Sequence, residues 1–246
     1  MIIMDDGIAL RADLDLPESP KDKMPVVILI HGLTGYRTER HILAVAKAFN
    51  ECGYAVLRAD MYGHGESGGE FINHTLFKWM NNAMTLVDYV RALPFADRVF
   101  LCGHSQGGLT AMLTAGLKRD VISGLIPLSP ASMIPDDARN GVLLGFRFDP
   151  DHIPDIVRVH GDRAFGGNYF RVAQSIYPEQ AIDKYTGPVL LVHGDEDQAV
   201  PYRIGVEVAN RYKNCELVTI VGDDHCYERH LDQVVAAVKD WAMRQL

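Results

Sequence analysis

The chain has 246 residues, 48% of them hydrophobic and 23% charged, with a formal net charge of −8. That much apolar sequence can bury a large core, as one domain with an insertion; the acidic balance, without any Lys/Arg run, argues against nucleic-acid or acidic-membrane partners, which need a clustered positive face. No apolar stretch reaches the roughly 18–20 residues of a membrane span, and Met1-Ile-Ile-Met-Asp-Asp-Gly7 is acidic where a secretory leader is basic, so a cytoplasmic location is expected.

Short apolar runs alternate with helical patterns along the chain. Residues 8–16 read as a strand closing a hairpin around Asp5-Asp6-Gly7, and Pro17-Glu-Ser-Pro-Lys-Asp-Lys23 as a turn. Residues 26–30 form a continuous apolar run of the kind found in a strand buried on both faces. A helix follows at 39–51, a strand at 55–58 and a helix at 76–91. Then come a strand at 99–102, a helix from Gln106 and a strand at 124–128. After a long interval the rhythm resumes with a strand at 189–192, a helix at 204–212, a strand at 217–221 and a final helix at 229–244. Such alternation predicts βαβ units and a mostly parallel sheet with helices on both faces. The interval between Pro130 and Pro188, rich in Gly, Pro and Asp, is far longer than an ordinary connection. It predicts a cap over the carboxyl ends of the strands, where open α/β sheets bind ligands. The expected organisation is a core of residues 1–130 and 186–246 with an inserted cap of residues 131–185.

Cys52, Cys102, Cys215 and Cys226 lie far apart without a C-x-x-C pair, and read as reduced thiols. The histidines show neither H-E-x-x-H nor H-x-H spacing, so no metal is expected.

Chemistry concentrates in Val99-Phe-Leu-Cys-Gly-His-Ser-Gln-Gly-Gly108. An apolar strand passes through Gly103-His104-Ser105-Gln106-Gly107 straight into a helix-like segment. A serine at the apex of a strand–turn–helix, with glycines two positions either side, is lifted clear of the sheet by a strained turn. The other reading of these residues is a glycine-rich loop whose serine caps a helix. Serine needs a general base, and the base an orienting acid. Val189-Leu-Leu-Val-His-Gly-Asp-Glu-Asp197 ends a strand in acidic residues, and Leu217-Val-Thr-Ile-Val-Gly-Asp-Asp-His225 ends another in a histidine. The order Ser, Asp, His, each after a strand, makes Ser105 the nucleophile, His225 the base and Asp197 the orienter. Asp195, adjacent to Gly194, is the alternative acid and reads as a brace for the turn; Asp223 and Asp224 read as turn formers. His31, His64, His104 and His193 are assigned to packing or loop order. The oxyanion hole needs backbone N–H groups aimed at the developing charge. Gln106 supplies one, and Leu33 in His31-Gly-Leu-Thr-Gly35 the other.

With these segments the chain resembles the serine α/β-hydrolases, and among them the bacterial cinnamoyl/feruloyl esterases. The likeness covers nearly the whole length. It rests on His31-Gly-Leu-Thr-Gly35, Arg58-Ala-Asp-Met-Tyr-Gly-His-Gly-Glu-Ser67, Gly103-His-Ser-Gln-Gly-Gly108, Asp223-Asp-His-Cys226 and Gly166-Gly-Asn-Tyr-Phe-Arg-Val-Ala-Gln174, of which the Ala59-Asp-Met-Tyr-Gly-His-Gly65 run and the last segment are the more particular. The resemblance implies an α/β-hydrolase fold, no cofactor, a homodimer and two-step hydrolysis of feruloyl, caffeoyl or p-coumaroyl esters. It also implies that polar cap residues meet the ring hydroxyl, at Asp137 and Tyr169 here; Leu144 stands where some relatives carry a further polar group. The residues alone read Asp137 equally as a helix-cap or turn acid and Tyr169 equally as a cap-core aromatic. A short-acyl carboxylesterase, monoacylglycerol lipase, thioesterase or cofactor-free perhydrolase uses the same triad, and a non-catalytic receptor can carry this fold.

Overall fold

The chain opens with an antiparallel pair, β1 (Ile2–Asp5) and β2 (Ile8–Asp15). Asp6 and Gly7 join them with φ of 46° and 82°, the two-residue turn whose twist matches that of the strands. The computed structural model describes residues 1–158 and 164–246. After β2 come β3 (Met24–Ile30), α1 (Arg40–Glu51), β4 (Ala55–Ala59), a 3₁₀ turn at Phe71–Asn73 and α2 (Leu76–Arg91). Next are β5 (Ala96–His104), α3 (Gln106–Leu117) and β6 (Ile122–Leu128). The interval then holds α4 (Ile134–Arg139), the hairpin β7 (Val142–Leu143) and β8 (Phe146–Arg147), the hairpin β9 (Ile156–Arg158) and β10 (Ala164–Gly166), α5 (Gly167–Gln174) and α6 (Pro178–Lys184). β11 (Val189–Gly194), α7 (Tyr202–Arg211), β12 (Cys215–Ile220) and α8 (Leu231–Arg244) complete the chain.

The strands lie in the order β1-β2-β4-β3-β5-β6-β11-β12. From β4 to β12 all neighbours are parallel, and β2 is antiparallel to β4. This is the mostly parallel sheet that the alternating pattern predicts. Alternation along β3 shows how the sheet is held. Val26, Ile28 and Ile30 face one apolar layer with Trp79, Leu86 and Met112, from α2 and α3. Val27 and Leu29 face the other, with Phe49 of α1 and Val234 and Trp241 of α8. All seven β3 residues are buried, which explains a run with no polar interruption. Each such side chain contributes about 1.5–3 kcal/mol by leaving water.

A third apolar cluster joins the interval to the core. Leu109 and Leu113 of α3 and Leu76 of α2 pack with Ile134, Leu143, Phe165, Tyr169 and Phe170. The interval is thereby seated on the helix that begins at the carboxyl end of β5.

Burial keeps three histidines uncharged: His31 and His41 are pushed down to about 4, and His74 to about 3. The unfolded chain titrates these groups near 6.5, so below that pH it binds more protons than the folded one. Their contribution to stability is complete above about pH 6.5 and is lost progressively towards pH 3–4. The melting temperature is therefore expected to fall steadily from pH 7 to pH 4.5 in calorimetry; a flat profile would show that these imidazoles charge freely in the fold.

Candidate active site

The turn between β5 and α3 is built by exclusion of side chains. A Cβ on Gly103 would lie 2.2 Å from the Gly107 carbonyl oxygen, and one on Gly107 would lie 2.3 Å from that of His31. Only glycine lets strand, turn and the β3 loop approach this closely. Ser105 sits at the apex with φ 54° and ψ −120°, a conformation rarely adopted by a residue with a side chain. Its hydroxyl makes no capping bond to α3, so the helix-cap reading of this serine is not what the geometry supports.

The loop after β3 lies directly beside it. A Cβ on Gly32 would stand 3.2 Å from Ser105 Cβ. Gly35 N–H donates to the Gly32 carbonyl at 3.1 Å, and Thr34 has φ 65°, closing a tight turn around Leu33. His31 anchors that turn from below. Met61 N–H donates to His31 Nε2 at 3.0 Å, so the proton resides on Nδ1, which donates to the Gly32 carbonyl at 2.7 Å. Gln106 is the first residue of α3, where backbone N–H groups lack intrahelical acceptors and the helix dipole favours negative charge.

Asp197 and His225 meet across the ends of β11 and β12. His225 Nδ1 lies 2.7 Å from Asp197 Oδ2. A carboxylate has no proton to give, so Nδ1 carries the hydrogen and Nε2 is left as a base. Asp197 is otherwise saturated. Its Oδ1 accepts the N–H groups of Ala199 and Val200, both at 2.8 Å, and its Oδ2 also faces His193 Nε2 at 3.2 Å. Burial would raise this carboxyl's pKa, but the bonds from His193 and His225 prevail and hold it well below the usual carboxylate range. Asp195 instead accepts Gly222 N–H at 2.6 Å, bracing the β12 loop. Asp223 accepts the N–H groups of Asp224, Arg229 and His230 and folds the loop that carries His225. Tyr227, two residues on, is fully buried and ties that loop to Val192 and Ser129 at 3.0 and 2.7 Å.

Two histidines assigned to packing or loop order also touch these residues. His193 supplies the second ring donor to Asp197; its place at the end of β11, four residues before the acid, was the available signal. His104 Nε2 donates to the His225 carbonyl at 2.8 Å, and its ring lies 4.6 Å from that of His225. Burial pushes His104 well below the ordinary histidine value, so it stays neutral beside His225.

Ser105, His225, Leu33 and Gln106 open onto one cavity of about 550 Å³. Its walls from the interval are Met133, Ile134, Leu143, Leu144 and Phe165, with the half-buried carboxyl of Asp137 among them. Burial, then the neighbouring Asp136, raises the pKa of that carboxyl. Leu144 is held at φ 55° at the tip of the β7–β8 hairpin.

Tyr169 lies inside the fold. The resemblance implies a substrate contact, but this residue is fully buried and is not among those lining the cavity. Its hydroxyl donates to Gln106 Oε1 at 2.7 Å, linking α5 to the first residue of α3. Apolar neighbours from α5 and β10 draw the ring inward, where the hydroxyl is already satisfied.

Among the described residues, no group of three or more His, Cys, Asp or Glu side chains could hold a metal ion. No helix of the described residues is long and apolar enough to cross a membrane.

With this geometry in view, comparisons with known proteins are specific. A family model described as "Serine aminopeptidase, S33" matches residues 21–162, more than half of the chain. The chain belongs to this family of serine α/β-hydrolases. A second model, described as "TAP-like protein", matches residues 170–241. The structure of Est1E from Butyrivibrio proteoclasticus with ferulic acid bound is 55% identical, with a TM-score of 0.98, covering 100% of this chain and 98% of that one. Human Protein ABHD12B is 26% identical over 82% of this chain and 54% of its own length. The rat palmitoyl-protein thioesterase ABHD10, mitochondrial, is 24% identical over 78% of this chain and 65% of its own. The chain thus spans only about half to two thirds of these two relatives.

Proposed function

We propose that this hydrolase cleaves hydroxycinnamate esters (feruloyl, caffeoyl or p-coumaroyl) through an acyl-enzyme on Ser105. The observation that carries the reading is the cavity: an apolar chamber opening on Ser105 and His225 and carrying one half-buried carboxyl, Asp137. An aromatic acyl group fits apolar walls, and its phenol O–H would donate to that carboxylate. The likeness to ferulic-acid-bound Est1E supports the same assignment. Residues 131–185 act in this reading as the cap that supplies the acyl walls. The four free cysteines support a cytoplasmic location.

The chemistry follows from the polarity of each group. His225 Nε2 takes the proton of Ser105 as its oxygen bonds to the ester carbonyl carbon. The former carbonyl oxygen becomes an oxyanion, received by the N–H groups of Leu33 and Gln106. His225 then protonates the leaving alcohol as the carbon–oxygen ester bond breaks. Water, deprotonated by the same nitrogen, attacks the acyl-enzyme and releases the acid and Ser105. Asp197 keeps the ring in the required tautomer throughout.

The test compares methyl ferulate with a butyrate ester. A higher kcat/KM for ferulate supports the aromatic acyl pocket, and preference for butyrate makes the protein a general carboxylesterase. Asp137→Ala separates the roles further. A hydrogen bond to a charged group contributes about 1.5–3 kcal/mol, so methyl p-coumarate should lose roughly 10- to 100-fold in kcat/KM while methyl cinnamate, lacking the phenol, changes little. Tyr169→Phe should act differently, because it unpairs Gln106 Oε1 inside the protein: turnover of aromatic and aliphatic esters should fall by the same factor. A loss confined to the phenolic substrate would return Tyr169 to the substrate site.

A further inference from the structure

Asp197 bonds His225 directly, and a second carboxylate reaches the same base from the opposite element of the fold. Glu39 stands immediately before α1, yet its side chain makes no capping bond to that helix. It turns instead beneath the loop after β3, where a Cβ on Gly35 would lie 2.3 Å from Glu39 Oε2. Burial raises the pKa of this carboxyl, and the Tyr36 N–H facing it works against the rise.

A run of imidazoles leads from Glu39 to the base. Glu39 Oε2 is 4.0 Å from His41 Nε2, and the rings of His41 and His104 lie 4.3 Å apart. His104 in turn packs at 4.6 Å on the ring of His225 and donates to its carbonyl. Both intervening histidines are buried, and burial keeps both uncharged. The space between carboxylate and base thus holds neutral rings rather than water, and a charge acts further through such a medium. The charges of Glu39 and His225 do act on one another. Of the charges around Cys226, the residue after the base, that of Glu39 acts most strongly on its thiol.

This carboxylate is not neutralised by a cation. Among the described residues Glu39 pairs with no lysine or arginine; the neighbouring Arg40 turns to the Glu228 carbonyl at 3.3 Å. Asp60, on the loop after β4, opposes the charge further. A largely buried carboxylate without a cation is costly, and an amide oxygen would face the Tyr36 N–H equally well. What an amide lacks is the negative charge, and that charge becomes favourable when His225 takes up a proton.

We propose that Glu39 is a positioning residue for the reaction: its charge joins that of Asp197 in holding the proton that His225 takes from Ser105. The inference rests on the triad of the esterase reading above and is independent of the acyl group. The experiment measures the pH dependence of kcat/KM for methyl ferulate and for a butyrate ester, on wild type, Glu39→Gln and Glu39→Asp. Glu39→Gln keeps the size and the acceptor of the side chain, so its melting temperature should match that of wild type while the charge is lost. It should lower kcat about three- to tenfold at unchanged KM, on both esters alike, and move the acidic limb of the profile about 0.5–1 unit to lower pH, one unit matching one factor of ten. Glu39→Asp, which keeps the charge, should lie closer to wild type than to Glu39→Gln in both respects. An acidic limb unmoved by Glu39→Gln, whatever the rate, would overturn the proposal and leave Glu39 as a brace for the Gly35 turn. A moved limb in an enzyme that prefers butyrate would support the proposal while removing the hydroxycinnamate assignment. Failure of the wild type to hydrolyse either ester would remove both.

Discussion

Ser105→Ala is expected to abolish ester hydrolysis, lowering kcat by about a millionfold, because a triad acts as a unit and loses nearly everything with its nucleophile. The geometry makes this a clean substitution. Ser105 offers no capping bond to α3, and its backbone is bonded through its own N–H to Leu128 and through its carbonyl to Leu109 and Ala131. None of those bonds involves the hydroxyl, so the elbow should keep its shape. Alanine carries the same strain at φ 54° that serine does. The variant should therefore retain the wild-type melting temperature and still bind ferulate in the cavity. Stopped-flow or endpoint assays with methyl ferulate check the loss. Residual turnover above one per cent of wild type would mean that another group carries the acyl chemistry, and Ser105 would revert to a structural residue.

Asp197→Asn is expected to cost about 10⁴-fold in kcat with little change in fold. Asparagine can still accept the Ala199 and Val200 N–H groups at the Oδ1 position. The opposite side then presents an amide N–H to His225 Nδ1, which can only accept it. The ring proton is driven to Nε2, and the base begins the reaction already protonated. His193 loses one acceptor but keeps the Val200 carbonyl, 2.9 Å from its Nε2. Asp195→Asn is the matched control. That residue braces Gly222, and its amide oxygen can accept the same N–H, so activity should fall less than tenfold. Equal losses in the two variants would deny Asp197 its special place.

The parts of this fold that were legible in the sequence share one physical property. Residues 26–30, 99–102 and 189–192 belong to strands covered on both faces, and burial on two sides removes polar residues and leaves a continuous apolar run. Boundaries were less visible. β5 begins at Ala96 rather than Val99, because Ala96 pairs with Met24 through backbone bonds that leave no mark on side-chain character. The two small hairpins, β7–β8 and β9–β10, have strands of two and three residues, too short for any period to register. The loop carrying Ser105 was legible for a different reason. Gly103, Gly107 and Ser105 are a local solution to a local packing problem, written within five consecutive residues.

Tyr169 and His193 show where local pattern stops. Nothing adjacent to Tyr169 in sequence indicates that its hydroxyl meets Gln106, 63 positions earlier. His193 resembles any histidine at a strand end until the turn back to Asp197 brings the two within 3.2 Å.

By itself the sequence determined the parallel sheet, the order of Ser105, Asp197 and His225, and the loops that carry them, since each follows from burial period and glycine sterics within short windows. Only the tertiary structure decided which histidines stay neutral, that Asp197 is saturated while Asp195 merely braces a turn, and that Tyr169 faces Gln106 while Asp137 faces the cavity. Those outcomes depend on which distant groups share a low-dielectric space, and hydrogen-bond partners across such space are chosen by the fold.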